Sequence, residues 1–483
     1  MKSLRIVHGG VRAADPVGTV ASPAWTVVAL LATDAIALIG AALVAGLAAT
    51  HPAAWPTVET AHVPPLAVLL APAAFWLSGL YPGSALEPVD EFRRLTRAIA
   101  AVVTASLLVI ALFSSLQLHW PLLLAGGLGV VAVPLARAMT REWFAARPWW
   151  GVPVVVLGAG GTARLVIENL RAHPRIGLKP VACLDDDPTK VGGSVSGVPV
   201  EGPLAVAQTY VRDGVRVAVV ALPDVPSAAL LRLVGQQASV FREVILVPDV
   251  FGTRSIGIEA RDLGGVLGLH LPNSLADPVN RFLKRCLDLA LLVPSLLIAV
   301  PVVALAALAI VAVSPGPPFY FQVRAGKGGR PFRVWKLRTM HVDAAERLER
   351  HLEDDPEARR EWAHHFKLTR DPRILPVVGA FLRASSLDEL PQVFNILRGE
   401  MSFIGPRPFP EYHLNAFPTE FQELRATVRP GLTGLWQVSA RSNGDLAVQR
   451  RLDTHYIVNW SIWMDLYVLV CTPLAVLSAR GAR

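Results

Sequence analysis

Cysteine and charged residues are both scarce in this chain of 483 residues. The three cysteines, Cys183, Cys286 and Cys471, lie far apart and form neither a disulfide framework nor a zinc-binding pattern. Charged residues account for only 17% of the sequence and hydrophobic residues for 52%, which excludes a disordered chain and argues against a fully soluble one. At about 150 residues per domain, the length predicts roughly three folded units.

The charges that are present have a basic excess, with a net charge of +8. A basic chain can bind nucleic acid, anionic lipid or phosphorylated substrates. Because the few charges lie among long apolar runs, we expect a lipid bilayer as a partner and no nucleic acid.

Four apolar stretches in the N-terminal part are each about long enough to span a bilayer as a helix. They cover residues 25–49, 63–81, 98–118 and 121–139. Lys and Arg occur before the first stretch, before the third and after the fourth, but in neither of the other two connections. The positive-inside rule therefore predicts a four-helix transmembrane bundle over 1–147 with both ends in the cytoplasm, and no cleaved signal peptide.

Asp34 is an acidic residue inside the first apolar stretch. A proton or substrate site is one interpretation of it. The sequence suggests no second buried charge for a relay, which favours a position near a helix end or a pairing within the bundle.

Residues 148–275 have the alternating pattern of a cytoplasmic α/β domain. A strand at 154–157 leads into a glycine-rich turn, 158–163, and a second strand ends at the acidic run 185–187. This order predicts a Rossmann-like fold with a helix N-terminus that could hold a phosphate. The glycine spacing is a weak signal by itself, so a working nicotinamide site and a role in regulation or dimer contacts both stay open.

The hydrophobic segment 287–313 contains a single charge, Asp288, and on length alone would be a fifth span. Basic residues flank both of its ends, so the charge rule cannot favour opposite sides. Pro294 and Pro301 lie inside it, and each removes a helix hydrogen bond and favours a kink. We therefore predict a re-entrant membrane helix over 282–313 that returns to the cytoplasmic face.

The densest polar sequence follows this segment and contains two adjacent carboxylates, Asp388 and Glu389, among recurring Lys and Arg residues. Adjacent carboxylates repel each other, so keeping both ionised requires a divalent metal or arginines nearby. A carboxylate held among cations can attack phosphorus. The alternative is an ordinary helix start capped by Ser385 or Ser386.

From about residue 280 to the C-terminus, the sequence resembles the bacterial sugar transferase family, the monotopic polyprenyl-phosphate phosphoglycosyl transferases. The family's motifs occur in order and with nearly the family's spacing. They include Lys336-Leu-Arg338-Thr-Met340, Ser386-Leu-Asp388-Glu389-Leu-Pro391-Gln392, Gly405-Pro-Arg407-Pro408 and Arg429-Pro-Gly431-Leu-Thr433-Gly434. The bundle and the α/β middle resemble the family's large subgroup, typified by undecaprenyl-phosphate galactose phosphotransferase.

The resemblance implies transfer of a sugar 1-phosphate from a UDP-sugar to undecaprenyl phosphate, with release of UMP, at the cytoplasmic face of the bacterial inner membrane. Galactose 1-phosphate is favoured over glucose 1-phosphate, and the product would begin an exopolysaccharide, capsule or O-antigen. Asp388 would form a phosphosugar ester, and Glu389 would assist proton handling or metal binding. Mg²⁺ would bridge the two carboxylates and the diphosphate, and the protein would form a homodimer.

The resemblance also implies roles for individual basic residues and for one proline. The residues that would contact substrate phosphates are Lys336, Arg338, Arg383 and Arg407. The membrane helix would break at Pro301.

Two other classes of function compete with this one. A membrane-bound NAD-dependent nucleotide-sugar dehydratase needs a Tyr followed four residues later by Lys, and none of the six tyrosines has that spacing. A non-catalytic scaffold for polysaccharide assembly would have a decayed site, whereas the carboxylate pair is intact.

The expected fold is a membrane protein with a transmembrane bundle, a Rossmann-like α/β domain and a mainly helical catalytic domain over 276–483.

Overall fold

The computed structural model describes residues 22–48, 63–84, 86–113, 120–222, 240–247, 259–262, 267–270, 274–355, 371–439 and 446–477, together with positions 357, 359 and 368. The chain forms two compact units, Met1–Thr253 and Arg254–Arg483.

Four apolar helices form the first part of the N-terminal unit. They are α1 (Pro23–Ala48), α2 (Val63–Leu77), α3 (Pro88–Phe113) and α4 (Trp120–Phe144). Three of them, α1, α3 and α4, are long and apolar enough to cross a membrane, as is one helix of the second unit. The described part of α2 has 15 residues, about 22 Å of helix, which is shorter than a bilayer core. The prediction of a membrane protein is confirmed, and the span at α2 stays a prediction.

A buried network of ion pairs joins α1, α3 and α4. Arg137 donates to both carboxylate oxygens of Asp34, at 2.8 and 2.6 Å, and to Glu91 at 2.8 Å. Glu91 also pairs with Arg141, and the Tyr81 hydroxyl donates to Asp34 at 2.5 Å. The prediction that Asp34 pairs within the bundle is confirmed. The expectation that the bundle has no second buried charge was wrong, because Arg137 and Glu91 are both buried.

A six-stranded sheet forms the rest of the N-terminal unit, as the α/β pattern predicted. Its strands are β1 (Val152–Leu157), β2 (Leu178–Leu184), β3 (Ser194–Val195), β4 (Val198–Gly202), β5 (Val217–Val220) and β6 (Glu243–Leu246), in the order β3-β4-β2-β1-β5-β6. Every pairing except β3 with β4 is parallel. The central strand β1 is buried along its whole length, as its run of apolar residues requires.

The glycine-rich turn connects β1 to the helix α5 (Gly161–Ala172), and α6 (Ala207–Arg212) precedes β5. Gly158 has a φ of +112°, and a Cβ at this position would lie 2.5 Å from the carbonyl oxygen of Ala221. Only glycine therefore allows the turn to pass this close to the neighbouring chain.

The second unit is organised around one long apolar helix, α7 (Pro278–Val313). Asp277 caps its start by accepting a hydrogen bond from the backbone N–H of Val279 at 2.9 Å. The helix continues without interruption through Pro294 and Pro301, so Pro301 does not divide it into two helices. Any break at Pro301 is therefore a bend within a single helix.

The rest of the second unit is mainly helical, with short strands in pairs. Among the described residues, β7 (Glu259–Asp262) pairs with β8 (Leu267–His270) and β9 (Phe319–Ala325) with β10 (Pro331–Leu337), both antiparallel, while β11 (Ser402–Ile404) is parallel to β12 (Gly431–Thr433). The helices after α7 are α8 (Ala344–Asp354), α9 (Val378–Ala384), α10 (Val393–Leu397), α11 (Glu411–Leu414), α12 (Thr419–Ala426), α13 (Leu435–Ser439), α14 (Leu446–Val458) and α15 (Ile462–Leu477).

The C-terminal half of α7 packs against the segment that carries the carboxylate pair. Val303 and Ile310 of α7 share a hydrophobic cluster with Leu382 of α9. Leu387 and Leu390, which flank Asp388 and Glu389 in sequence, pack against the same cluster. The apolar helix therefore positions the carboxylate pair.

We predict that the buried ion network stabilises the bundle far more than an exposed ion pair does. Arg137→Gln leaves Asp34 buried without its counter-ion, so the free energy of unfolding in detergent micelles should fall by about 3–5 kcal/mol. Arg175→Gln is the matched control, because its pair with Glu142 is exposed, and it should lose less than about 1 kcal/mol. Equal losses in the two variants would contradict this prediction.

Candidate active site

The carboxylate pair lies on a 3₁₀-helix, Leu387–Gln392, that begins after Ser386. Ser386 has a left-handed backbone conformation, with φ of 59°, and its side chain makes no capping hydrogen bond. The Ser385 hydroxyl donates to the carbonyl of Phe381 at 2.7 Å. The structure therefore does not contain the serine-capped helix start that was the alternative interpretation of this segment.

Glu389 is held between two cations. Its Oε1 atom accepts hydrogen bonds from Lys336 Nζ at 2.8 Å and from Arg407 Nη2 at 2.6 Å. Burial by itself would raise the pKa of Glu389, but Arg407 and Lys336 outweigh burial and hold the pKa well below its usual range. Glu389 therefore stays ionised at neutral pH.

Asp388 has the opposite character. Burial raises its pKa, and the negative charge of Glu389 adds to this effect, while Lys336, Arg383 and Arg407 oppose it. Among the described residues, no group donates a hydrogen bond to the Asp388 carboxylate. The neighbouring carboxylates thus differ in the direction of their pKa shifts, a pattern typical of acids with different roles in one site.

Three of the four predicted phosphate-contacting residues lie around this pair. Lys336 comes from β10, Arg383 from α9, and Arg407 from the segment that follows β11. Arg338 has a different partner: it donates through Nη2 to the Ser314 carbonyl at the end of α7, and no ion pair between it and either carboxylate occurs among the described residues. Arg338 therefore bonds to the end of α7, whereas Lys336 and Arg407 bond to Glu389.

Arg324 of β9 is a further cation near the pair that was not among the predicted contacts. Burial lowers its pKa, and the positive charge of Arg407 lowers it further. Its side chain donates to Gln322 at 2.6 Å. The sequence signal that could have identified Arg324 is its position two residues after Gln322, which places both side chains on the same face of β9.

A buried ion pair contacts the backbone of Arg407. Arg425 pairs with Asp453 of α14, donates to the carbonyl of Arg407, and stacks over the ring of Phe409 at 4.1 Å from its centroid. Burial raises the pKa of Asp453 to about 6 even beside Arg425. Nothing in the local sequence indicated this support, because its two charged residues belong to different helices.

The donor set fits a divalent cation only with help from substrate. No group of three or more His, Cys, Asp or Glu side chains that could hold a metal occurs among the described residues. Mg²⁺ commonly binds through one or two carboxylates and completes its shell with phosphate oxygens and water. Asp388 and Glu389 supply the two carboxylates that such a site uses.

Two protein families match separate parts of this chain. Residues 279–479 match the bacterial sugar transferase family, and residues 77–248 match a CoA-binding domain family. The first match includes α7, the carboxylate pair and the cations around it.

Relatives of known name align over most of the chain. The UDP-galactose-lipid carrier transferase of Erwinia amylovora is 32% identical over 402 residues, which are 81% of this chain and 82% of that protein. The undecaprenyl-phosphate galactose phosphotransferase of Salmonella typhimurium is 31% identical and covers 73% of this chain and 74% of its own length. The UDP-glucose:undecaprenyl-phosphate glucose-1-phosphate transferase of Escherichia coli is 32% identical over 66% of each chain.

The chain belongs to the bacterial sugar transferase family, which confirms the family predicted from its motifs. It is therefore a membrane-associated transferase. Among solved structures, the UDP-D-quinovosamine 4-dehydrogenase of Vibrio fischeri is 20% identical over 21% of this chain and 80% of that one, but its TM-score of 0.19 is too low to support any argument.

We predict that sugar transfer has an acid limb set by Asp388. An attacking carboxylate must be ionised, so initial rates should fall as the pH drops through the raised pKa of Asp388, above the value near 3.9 of an ordinary aspartate. Glu389→Gln removes the adjacent negative charge and frees Lys336 and Arg407 to face Asp388. Both changes lower the pKa of Asp388, so the acid limb should move to lower pH.

The measurement is the pH profile of initial rates for both proteins. Glu411→Gln, a carboxylate on the exposed surface, is the control and should leave the limb in place. A limb in Glu389→Gln that stays fixed or moves to higher pH would show that Asp388 is not the titrating group.

Proposed function

We propose that this protein transfers a sugar 1-phosphate from a UDP-sugar to undecaprenyl phosphate and releases UMP. It is a polyprenyl-phosphate glycosyl-1-phosphate transferase, in line with the names of its relatives. The observation that carries the proposal is the partly buried Asp388, free of hydrogen-bond donors among the described residues and surrounded by Lys336, Arg383 and Arg407. Such a carboxylate is suited to attack a phosphorus atom whose negative charge the cations offset.

The first step forms a covalent intermediate on Asp388. A carboxylate oxygen attacks the phosphorus next to the sugar, and the bond between that phosphorus and the bridging oxygen of UMP breaks. The electron pair leaves with UMP, which departs as a phosphate dianion. Three negative charges enter this step and three leave it, so no proton transfer is required.

The second step regenerates the enzyme. An oxygen of the undecaprenyl phosphate dianion attacks the same phosphorus, and the bond between phosphorus and the Asp388 oxygen breaks. The product is undecaprenyl diphosphate sugar, and Asp388 returns to its ionised form. Two displacements at one phosphorus replace a single encounter of three components.

Glu389 serves this reaction as a fixed negative charge. Its lowered pKa makes it a poor proton carrier at neutral pH, so holding cations is favoured over proton handling. It orients Lys336 and Arg407 toward the diphosphate. Asp388 and Glu389 would hold Mg²⁺ together with the substrate, and the ion would offset the charge that develops on the phosphate oxygens.

We also propose that α7 is a re-entrant helix, and its contacts with the rest of the catalytic unit support this. In the first third of the helix, Asp288 accepts hydrogen bonds from the Ser402 hydroxyl at 2.8 Å and the Phe403 backbone N–H at 3.0 Å. At its end, the Ser314 carbonyl accepts one from Arg338. A helix of 36 residues is about 54 Å long when straight, so one crossing would carry its end beyond the bilayer. The first third of α7 and its end thus both make polar contacts with the same compact unit. This supports a helix that returns to the cytoplasmic face.

We assign the α/β domain, residues 148–275, to regulation or dimer contacts. Asp185, at the position of a ribose-binding acid, accepts hydrogen bonds from the Ala159 N–H of the glycine-rich turn at 2.8 Å and from Lys190 at 3.0 Å. An internal carboxylate thus uses a donor that a dinucleotide phosphate would need. This favours a role other than nicotinamide chemistry and counts against the dehydratase alternative.

We predict that Asp388→Asn abolishes UMP release from UDP-sugar, by at least about 10³-fold, because the amide cannot form the phosphosugar ester. Asp343→Asn is the control, because Asp343 is exposed and pairs with Arg347 at the surface. A dehydratase would keep NAD-dependent turnover in Asp388→Asn, and a scaffold would have no turnover in any form of the protein.

We predict that membranes containing the protein incorporate label from UDP-galactose into the lipid fraction. Galactose 1-phosphate is the proposed donor group because two of the relatives described above are named for galactose. A panel of radiolabelled UDP-sugars tests this directly. UDP-glucose is the substrate in the name of the Escherichia coli relative. Preferential labelling from UDP-glucose would contradict the assignment of galactose but not the proposed reaction.

A further inference from the structure

The guanidinium of Arg338 is buried with two of its nitrogens unused. The residue is 7% exposed, and its Nη2 atom donates to the Ser314 carbonyl. Its Nε and Nη1 atoms have no hydrogen-bond partner among the described residues. A buried charged donor without a partner is strongly unfavourable, so these two donors indicate a place for an anion.

The two unused nitrogens of Arg338 lie next to the C-terminal end of α7. Gly316, just beyond α7, passes so close that a Cβ there would lie 2.9 Å from Arg338 Nη1 and 3.2 Å from the side chain of Val342. Val342 is itself 67% exposed. The carbonyls at a helix C-terminus repel an anion, and the bond from Arg338 to Ser314 compensates one of them. Arg338 is thus the group there that can attract a phosphate.

The surroundings favour a phosphate attached to a hydrocarbon chain. Leu305, Leu308 and Val313 on the last turns of α7 are 67%, 68% and 52% exposed. A lipid chain can lie along these side chains while its phosphate reaches the guanidinium. A nucleotide sugar has no apolar chain to cover them.

Arg338 is also within reach of the reacting groups. It lies two residues after Lys336 and one residue beyond the end of β10, and two residues of extended chain span about 6.6 Å. Lys336 bonds to Glu389, the neighbour of Asp388. Arg338 therefore lies two residues along the chain from a cation that bonds to the carboxylate pair.

We propose that Arg338 binds the phosphate of the polyprenyl phosphate acceptor, separately from the cations that bind the UDP-sugar. This inference rests on the function proposed above. It assigns Arg338 to the second displacement, in which the acceptor oxygen attacks the phosphosugar ester, and gives it no part in the first.

The test compares Arg338→Gln with Arg330→Gln, an exposed arginine at the β9–β10 turn. Without acceptor, a single turnover with radiolabelled UDP-galactose measures UMP release and label on the protein. With undecaprenyl phosphate added, the KM of each substrate is measured. Arg338→Gln should keep UMP release and protein labelling within about twofold of wild type, and its KM for undecaprenyl phosphate should rise at least about tenfold, which corresponds to about 1.4 kcal/mol. Its KM for UDP-galactose should not change, and Arg330→Gln should match wild type throughout.

An acceptor KM that stays at the wild-type value, or KM values that rise equally for both substrates, would overturn the inference. Arg338→Lys provides a second variant that keeps a positive charge beside Ser314, and it should give an acceptor KM between those of wild type and Arg338→Gln. If wild type itself never carries label on Asp388, the proposed function fails. If wild type is labelled and both Arg338 variants have the wild-type acceptor KM, only the assignment of Arg338 fails.

Discussion

Repulsion between two neighbouring, partly buried carboxylates is the constraint on which the catalytic unit depends. Two such charges can stay together only when cations compensate them. Lys336 and Arg407 both bond to Glu389, which uses much of their charge on one of the two acids. Asp388 keeps only electrostatic support from the same cations and from Arg383. The asymmetry leaves one carboxylate firmly ionised and the other available for reaction.

The apolar helix α7 supplies the mechanical support for this arrangement. Its buried face contacts the leucines on either side of the carboxylate pair, and each buried side chain of that size contributes about 1.5–3 kcal/mol. Its opposite face is exposed and apolar, as a lipid-facing surface requires. The same helix therefore has an apolar surface suited to a bilayer on one side and contacts the turn that carries the carboxylate pair on the other.

Some features followed from local sequence and others did not. Apolar length located α1, α3, α4 and α7 because a helix in hydrocarbon must satisfy its own backbone and carry apolar side chains. The motifs pointed to the carboxylate pair, and the structure places Lys336, Arg383 and Arg407 around it. Arg338 belongs to the same motif as Lys336 and yet bonds to the end of α7, because spacing along the chain does not reveal which partner each side chain contacts. The support of Arg407 by Arg425 and Asp453 had no local signal at all.

Asp34 and Arg137 illustrate the general difference. Each was visible as a charge in or beside an apolar stretch, but the sequence left open whether Asp34 lies near a helix end or pairs within the bundle. The sequence by itself determined the membrane segments, the α/β pattern and the family, because these depend on hydropathy, periodicity and short motifs. Only the tertiary structure decided which charges pair and which remain available, because ion pairs and hydrogen bonds depend on distances of a few ångströms between residues far apart in the chain.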